Sequence, residues 1–204
     1  MLAISLTSCS PGIRNIATWA NKEKIAAIKP VQHTVFFAVL TQNIEAKFTL
    51  ENDLARAAEA RGIHAIKSLD VYGSILTKEN MPSKEAILQK IRDLGCDGIF
   101  TSALIDQASE TRYIPSSTTV YAPYPVYGYF GSYYGYSSMY YTPGYYSTSK
   151  SYFLQSNLYD AKTEELLISM QSKAVDPSGI EKASKEYTAA LLDELKKQGF
   201  LKNK

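Results

Sequence analysis

Few side chains in this sequence have the type and spacing that chemistry needs. The two histidines, His33 and His64, each stand at the start of a β-rich run. A Ser–His–Asp set needs three groups in hydrogen-bond contact, and nothing in the spacing gathers them. Neither histidine has a second ligand at metal spacing, so no zinc site is expected. Cys96 follows Gly95 at the head of a strand and has no Cys-x-x-Cys partner. It reads as a small buried hydrophobe rather than a reactive thiol. Asp97, Asp106, Glu164 and Glu165 come nearest to a carboxylate set, with Asp106 and Arg112 expected side by side at a strand end. Turn and surface pairing is the simpler account of them. The expectation is a non-enzyme with no cofactor and no metal.

The other chemistry on offer is recognition. The chain holds 16 tyrosines. Those at Tyr121, Tyr124, Tyr127, Tyr129, Tyr133, Tyr134, Tyr136, Tyr140, Tyr141, Tyr145 and Tyr146 crowd one segment. Gly and Pro punctuate it, which discourages a helix and allows strand only in short pieces. A tyrosine ring is flat and apolar with a polar tip, and it has few rotors to immobilise, which suits a binding surface. The alternative is a low-complexity loop that packs on itself.

A third candidate is Cys9. An apolar run, Met1–Leu6, is followed by the small residues Thr7 and Ser8 and then the cysteine. Leu6-Thr7-Ser8-Cys9 resembles the bacterial lipobox. That resemblance implies that the Cys9 thiol takes a diacylglyceryl group and that cleavage falls just before it. The charged leading segment is absent, and the apolar run is shorter than the usual about 7–15 residues. Met1 is therefore expected to lie inside the signal peptide, with residues 1–8 a partial one. Several acyl chains on one residue make anchoring stable where a single chain binds only marginally. Residues 10–13, Ser-Pro-Gly-Ile, carry no acidic residue. Some Bacteroidota lipoproteins use an acidic signal there for surface display, so its absence favours the periplasmic side.

Composition restricts the classes. The chain of 204 residues is 45% hydrophobic and 21% charged, with a formal net charge of +2. That suits a folded domain with a real core. Lys and Arg are spread along the chain, which argues against a nucleic-acid face. No apolar run approaches the about 18 residues of a membrane span. No structural Cys9–Cys96 disulfide is expected, because Cys9 lies where no fold signal does.

The elements that must position these residues follow from periodicity. Residues 9–32 read as a lipidated N-terminus and tether. His33–Leu40 reads as a buried strand, and Ile44–Arg61 as a helix with Ile44, Phe48, Leu54 and Ala58 on its inner face and Gly62 as its stop. Ile63–Tyr72 reads as a second strand. Ser83 reads as the N-cap of a helix with an Ile87, Leu88, Ile91, Leu94 stripe that Gly95 ends. Cys96 to about Gln107 reads as a third strand. Ser151–Tyr159 and Leu166–Ala174 read as a hairpin about an Asp160–Thr163 turn. Ser178-Gly-Ile-Glu181 has the form of a capping box. It opens a last helix with Ile180, Ala183, Tyr187, Leu191 and Leu195 inward and Gly199 as its stop.

The order is β-α-β-α-β, a Tyr/Gly/Pro-rich insertion at about 115–150, then β-β-α. The expected fold is α/β with an α+β tendency: one mixed sheet of about five strands with three helices, in a single domain over 33–204. Strand–helix–strand links imply parallel neighbours and right-handed crossovers.

This arrangement is similar to the periplasmic domain of curli-secretion-type lipoproteins and the N-terminal domain of Tol-system proteins. Leu94–Asp106 resembles their strand after the second helix, and Tyr152–Asp160 with Glu165–Ser169 resembles their hairpin. The whole chain resembles small Bacteroidota envelope lipoproteins with a tyrosine-rich insert. The resemblance implies an outer-membrane lipoprotein facing the periplasm: a non-catalytic interaction module whose partner is an envelope protein or glycan. A self-assembling structural or secretion-associated subunit comes second, and an enzyme on envelope polymers last. Pore function is not implied, because Tyr-Gly-Tyr repeats do not make a lipid-facing barrel wall.

Overall fold

The computed structural model describes residues 12–27, 33–73, 82–114 and 145–201. Among these, six strands and five helices form an α+β fold with one mixed sheet. The strands are β1 (Ile13–Ala20), β2 (Thr34–Leu40), β3 (His64–Lys67), β4 (Gly98–Ile114), β5 (Tyr145–Asp160) and β6 (Leu166–Val175). The helices are α1 (Lys22–Ala27), α2 (Ile44–Glu59), α3 (Ser68–Tyr72), α4 (Lys84–Asp93) and α5 (Ile180–Lys197). The sheet order is β1-β6-β5-β4-β2-β3. The expected five strands and three helices thus become six and five.

β2 explains the layering. Its sequence Thr-Val-Phe-Phe-Ala-Val-Leu is almost wholly apolar, as a strand covered on both faces must be. Val35, Phe37 and Val39 face a core shared with Leu54 and Ala58 of α2 and Tyr187 and Leu191 of α5. Phe36 faces a smaller core with Ile91 of α4, Cys96 and Ile99. β2 pairs in parallel with β3 and β4, as the strand–helix–strand order requires. β5 and β6 form the expected antiparallel hairpin. Gly62 and Gly95 follow α2 and α4 with φ of 75° and 71°, the left-handed conformation in which glycine escapes a Cβ clash. No described helix is long and apolar enough to cross a membrane.

Several expectations are corrected. Residues 13–20, read as tether, form β1, an edge strand antiparallel to β6 from Ile13↔Ala174 to Ala20↔Ile168. Without it β6 would present a bare edge. Ile13 is buried, and the Asn15 amide donates to the Ala190 carbonyl at 2.8 Å and accepts from Ser172 Oγ at 2.6 Å. The second expected strand stops at Lys67, because the Leu69 N–H donates to Glu51 Oε2 at 3.0 Å instead of continuing a ladder. The chain then winds into α3. Ser178 caps nothing: Gly179, with φ of 114°, is the N-cap of α5 and moves the helix start one residue on. The inner face of α2 is rotated. Lys47, Glu51, Leu54 and Ala58 are buried, whereas Ile44 and Phe48 are 53% and 60% exposed.

The chain divides into two compact units. The first comprises residues 1–107 and 151–204 and contains the five described helices. The second, residues 108–150, holds the outer parts of β4 and β5. In it Thr111 Oγ1 and Thr148 Oγ1 lie 3.0 Å apart, and the rings of Tyr113 and Tyr146 meet at 5.2 Å and 55°.

Candidate functional site

The residues singled out for catalysis go to separate partners. His33 Nδ1 stands 3.6 Å from Asp97 Oδ2, beside a cleft of about 170 Å³ that Asp160 and Lys162 also line. The Asp97 carboxylate also accepts the Thr34 N–H at 3.1 Å, so it ties the start of β2 to the turn before β4. His64 Nδ1 lies 3.2 Å from Glu59 Oε1, which accepts the Ala65 N–H as well. Cys96 is free and buried. Burial, helped by the neighbouring Asp97 charge, pushes its thiol up to about 11. A thiol so placed is no nucleophile at neutral pH.

The carboxylates serve structure. Glu164 Oε2 meets Lys84 Nζ at 2.8 Å and Glu164 Oε1 meets Arg92 Nη2 at 3.3 Å, which binds α4 to the β5–β6 turn. The Lys84 hydrogen bond holds the Glu164 carboxyl below its usual range. Glu165 pairs with Lys24, which lowers it likewise. At Asp160, burial raises the carboxyl, but the N–H groups of Thr163 and Lys162 outweigh it and leave it low. Arg112 bonds Glu110 at 2.8 Å rather than Asp106. Among the described residues no group of three or more His, Cys, Asp or Glu is placed to hold a metal ion.

Two buried polar networks escaped the sequence reading. In one, Lys47 Nζ donates to the Val39 carbonyl (2.8 Å), Glu51 Oε1 (2.7 Å) and Ser68 Oγ (2.6 Å). Glu51 accepts from Ser68 Oγ at 2.7 Å and from the Val39 N–H at 3.0 Å. Every charge is met, and α2, β2 and α3 are locked together. The available signal was spacing: 47, 51, 54 and 58 share one helix face. In the other, the fully buried Tyr187 hydroxyl lies 2.7 Å from Ser102 Oγ and 2.5 Å from Ser156 Oγ. Desolvation raises that phenol, and the two hydroxyls partly offset it.

The Tyr187 network forms part of the wall of an apolar groove of about 420 Å³ in the first unit. The groove runs across the sheet where β1 starts, β6 ends and β2 ends, beneath the first turns of α2 and α5. Leu40 and Leu104 at its rim are 55% and 51% exposed. Exposed apolar side chains at the rim of an apolar groove are a binding feature.

Of the candidate recognition residues, Tyr146 is exposed and its ring meets that of the exposed Tyr113 at a tilt. Tyr145 begins β5. Cys9 and the tyrosines from Tyr121 to Tyr141 lie outside the described residues.

No family model and no curated protein sequence matches the chain. Among solved structures, it is similar to a PelC dodecamer from Paraburkholderia phytofirmans. The identity is 14% over 88% of this chain and 94% of that one, with a TM-score of 0.44. A variant of that PelC dodecamer matches at 13% identity over 90% and 97%, also at 0.44. The lipoprotein GNA1162 from Neisseria meningitidis matches at 8% identity over 81% and 99%, with a TM-score of 0.42.

Proposed function

We propose that this chain is a lipid-anchored, non-catalytic interaction module of the bacterial envelope, held through Cys9 on the periplasmic face of the outer membrane. Its tyrosine-rich segment is the recognition surface for an envelope protein or glycan. The observation that carries this reading is the Tyr113–Tyr146 pair: two rings in tilted contact, 55% and 74% exposed, at the described ends of that segment. Aromatic rings in water at a loop base are costly unless something covers them, and their amphipathic faces suit a sugar or a protein surface. The test is deletion of residues 118–147 in the full chain. Circular dichroism should stay unchanged while partners recovered from envelope extract by crosslinking are lost. The same partners recovered with and without the segment contradict the reading.

One further observation favours self-assembly. β1 is the outermost of the described strands, and it displays Trp19 and Ile16 to solvent. An open edge with apolar side chains is a template for pairing with another chain. On this reading light scattering finds an oligomer that Trp19→Lys dissolves. A wild-type monomer at high concentration removes it.

A further inference from the structure

The reading above gives the apolar groove no occupant. Its walls ask for an apolar one, because they are mostly carbon and five of their polar side chains already hold a hydrogen bond. Tyr187 and Ser102 bond each other. Ser184 Oγ donates to Asp53 at 2.7 Å. Asn43 Oδ1 accepts the Ala46 N–H at 3.0 Å, and Thr41 Oγ1 accepts the Asn43 N–H at 3.2 Å. What remains is aliphatic and aromatic: Ile13 and Ala174 at one end, Leu50 and Leu154 midway, Leu40 and Leu104 at the other.

Shape narrows the ligand further. From β1 to β2 the groove crosses five neighbouring strands. Four inter-strand spacings are about 19 Å, close to the reach of one extended long-chain acyl group. The volume of about 420 Å³ suits a single such chain rather than a bundle.

Chain connectivity says where that chain comes from. Ile13 lines the groove, and Cys9 precedes it by four residues. Four residues span at most about 14 Å, a link short enough for a lipid on Cys9 to reach the Ile13 end. We propose that the groove houses one acyl chain of the lipid carried by Cys9, with the remaining chains left in the membrane. The proposal rests on the lipidation of Cys9 put forward above. Moving a chain from bilayer to groove exchanges one apolar surrounding for another. It leaves the protein held by fewer chains, and attachment by fewer chains is more readily reversed.

The experiment uses the full chain, purified from its own membranes in detergent micelles with Ile, Leu and Val methyls labelled. Intact mass reports the lipid on Cys9. Nuclear Overhauser contacts from acyl methylenes to the methyls of Ile13, Leu50 and Leu154 report its place. The proposal expects both the added mass and the contacts. In Ala183→Trp, which fills the groove, the contacts should vanish while the mass and circular dichroism persist. Ala46→Phe serves if that variant does not fold. Added mass with acyl contacts to detergent alone overturns the groove and leaves the lipid reading standing. No added mass overturns the lipid reading, and the groove proposal with it.

Discussion

Lys47 and Glu51 show what a residue pair can hide. In sequence they are an i, i+4 ion pair, the commonest decoration of a solvated helix face. In the fold they are buried and bond Ser68 and both backbone groups of Val39. Removing one partner strands a charge, so Lys47→Met should lower stability by about 3–5 kcal/mol in urea titration. A loss under about 1 kcal/mol would mean that water reaches the pair. Cys96 gives a pH signature. Its thiol rises from 9.0 to about 11 on folding, so the folded state holds its proton longer. The stability this contributes is full below pH 9 and is lost as pH rises toward about 11, an effect of order 2–3 kcal/mol. Cys96→Ala should show a shallower decline over that window, and parallel curves for the two proteins would refute the assignment. The sequence reading of Cys96 as a buried hydrophobe holds, because a glycine turn followed by an apolar run leaves a small side chain few other places. The Lys47 pair stayed illegible because charge outvoted spacing.

Helices and strands were legible wherever period and punctuation agreed. β2, α4 and the β5–β6 hairpin came from apolar runs bounded by Ser83, Gly95 and the Asp160 turn. Where two signals compete, the chain follows tertiary contacts instead. Ser83 and Ser178 look alike in sequence, yet only Ser83 Oγ accepts a helix N–H, from Ala86 at 3.2 Å. Ser83→Ala should cost about 1 kcal/mol, while Ser178→Ala should stay within about 0.5 kcal/mol. Equal losses in the two would restore the capping box. β1 escaped notice for a different reason. Ile13–Ala20 mixes polar and apolar residues because one edge of it meets water, and its partner β6 lies more than a hundred residues away. No local rule reports a pairing at that separation.

At the scale of the molecule, β1 changes what an anchor at Cys9 means. A tether through residue 32 would let the domain roam. A strand that begins at Ile13 leaves only residues 10–12 between Cys9 and the sheet. On the proposed anchoring, the groove end of the sheet would face the membrane, together with Ile44 and Phe48, exposed on α2, and Leu40 and Leu104 at the groove rim. Adding anionic charge there, as in Phe48→Glu, should weaken vesicle binding of the lipidated chain several-fold without unfolding it. Unchanged binding would separate that face from the membrane. All of this depends on the lipid. The most direct measurement is fractionation of cells that produce the full chain or Cys9→Ser, with intact mass taken from each membrane pool. The account expects the wild-type chain in the membrane with a lipid mass on Cys9, and the Cys9→Ser chain in the soluble fraction. A Cys9→Ser chain that stays membrane-bound, or a wild-type Cys9 without added mass, would contradict it.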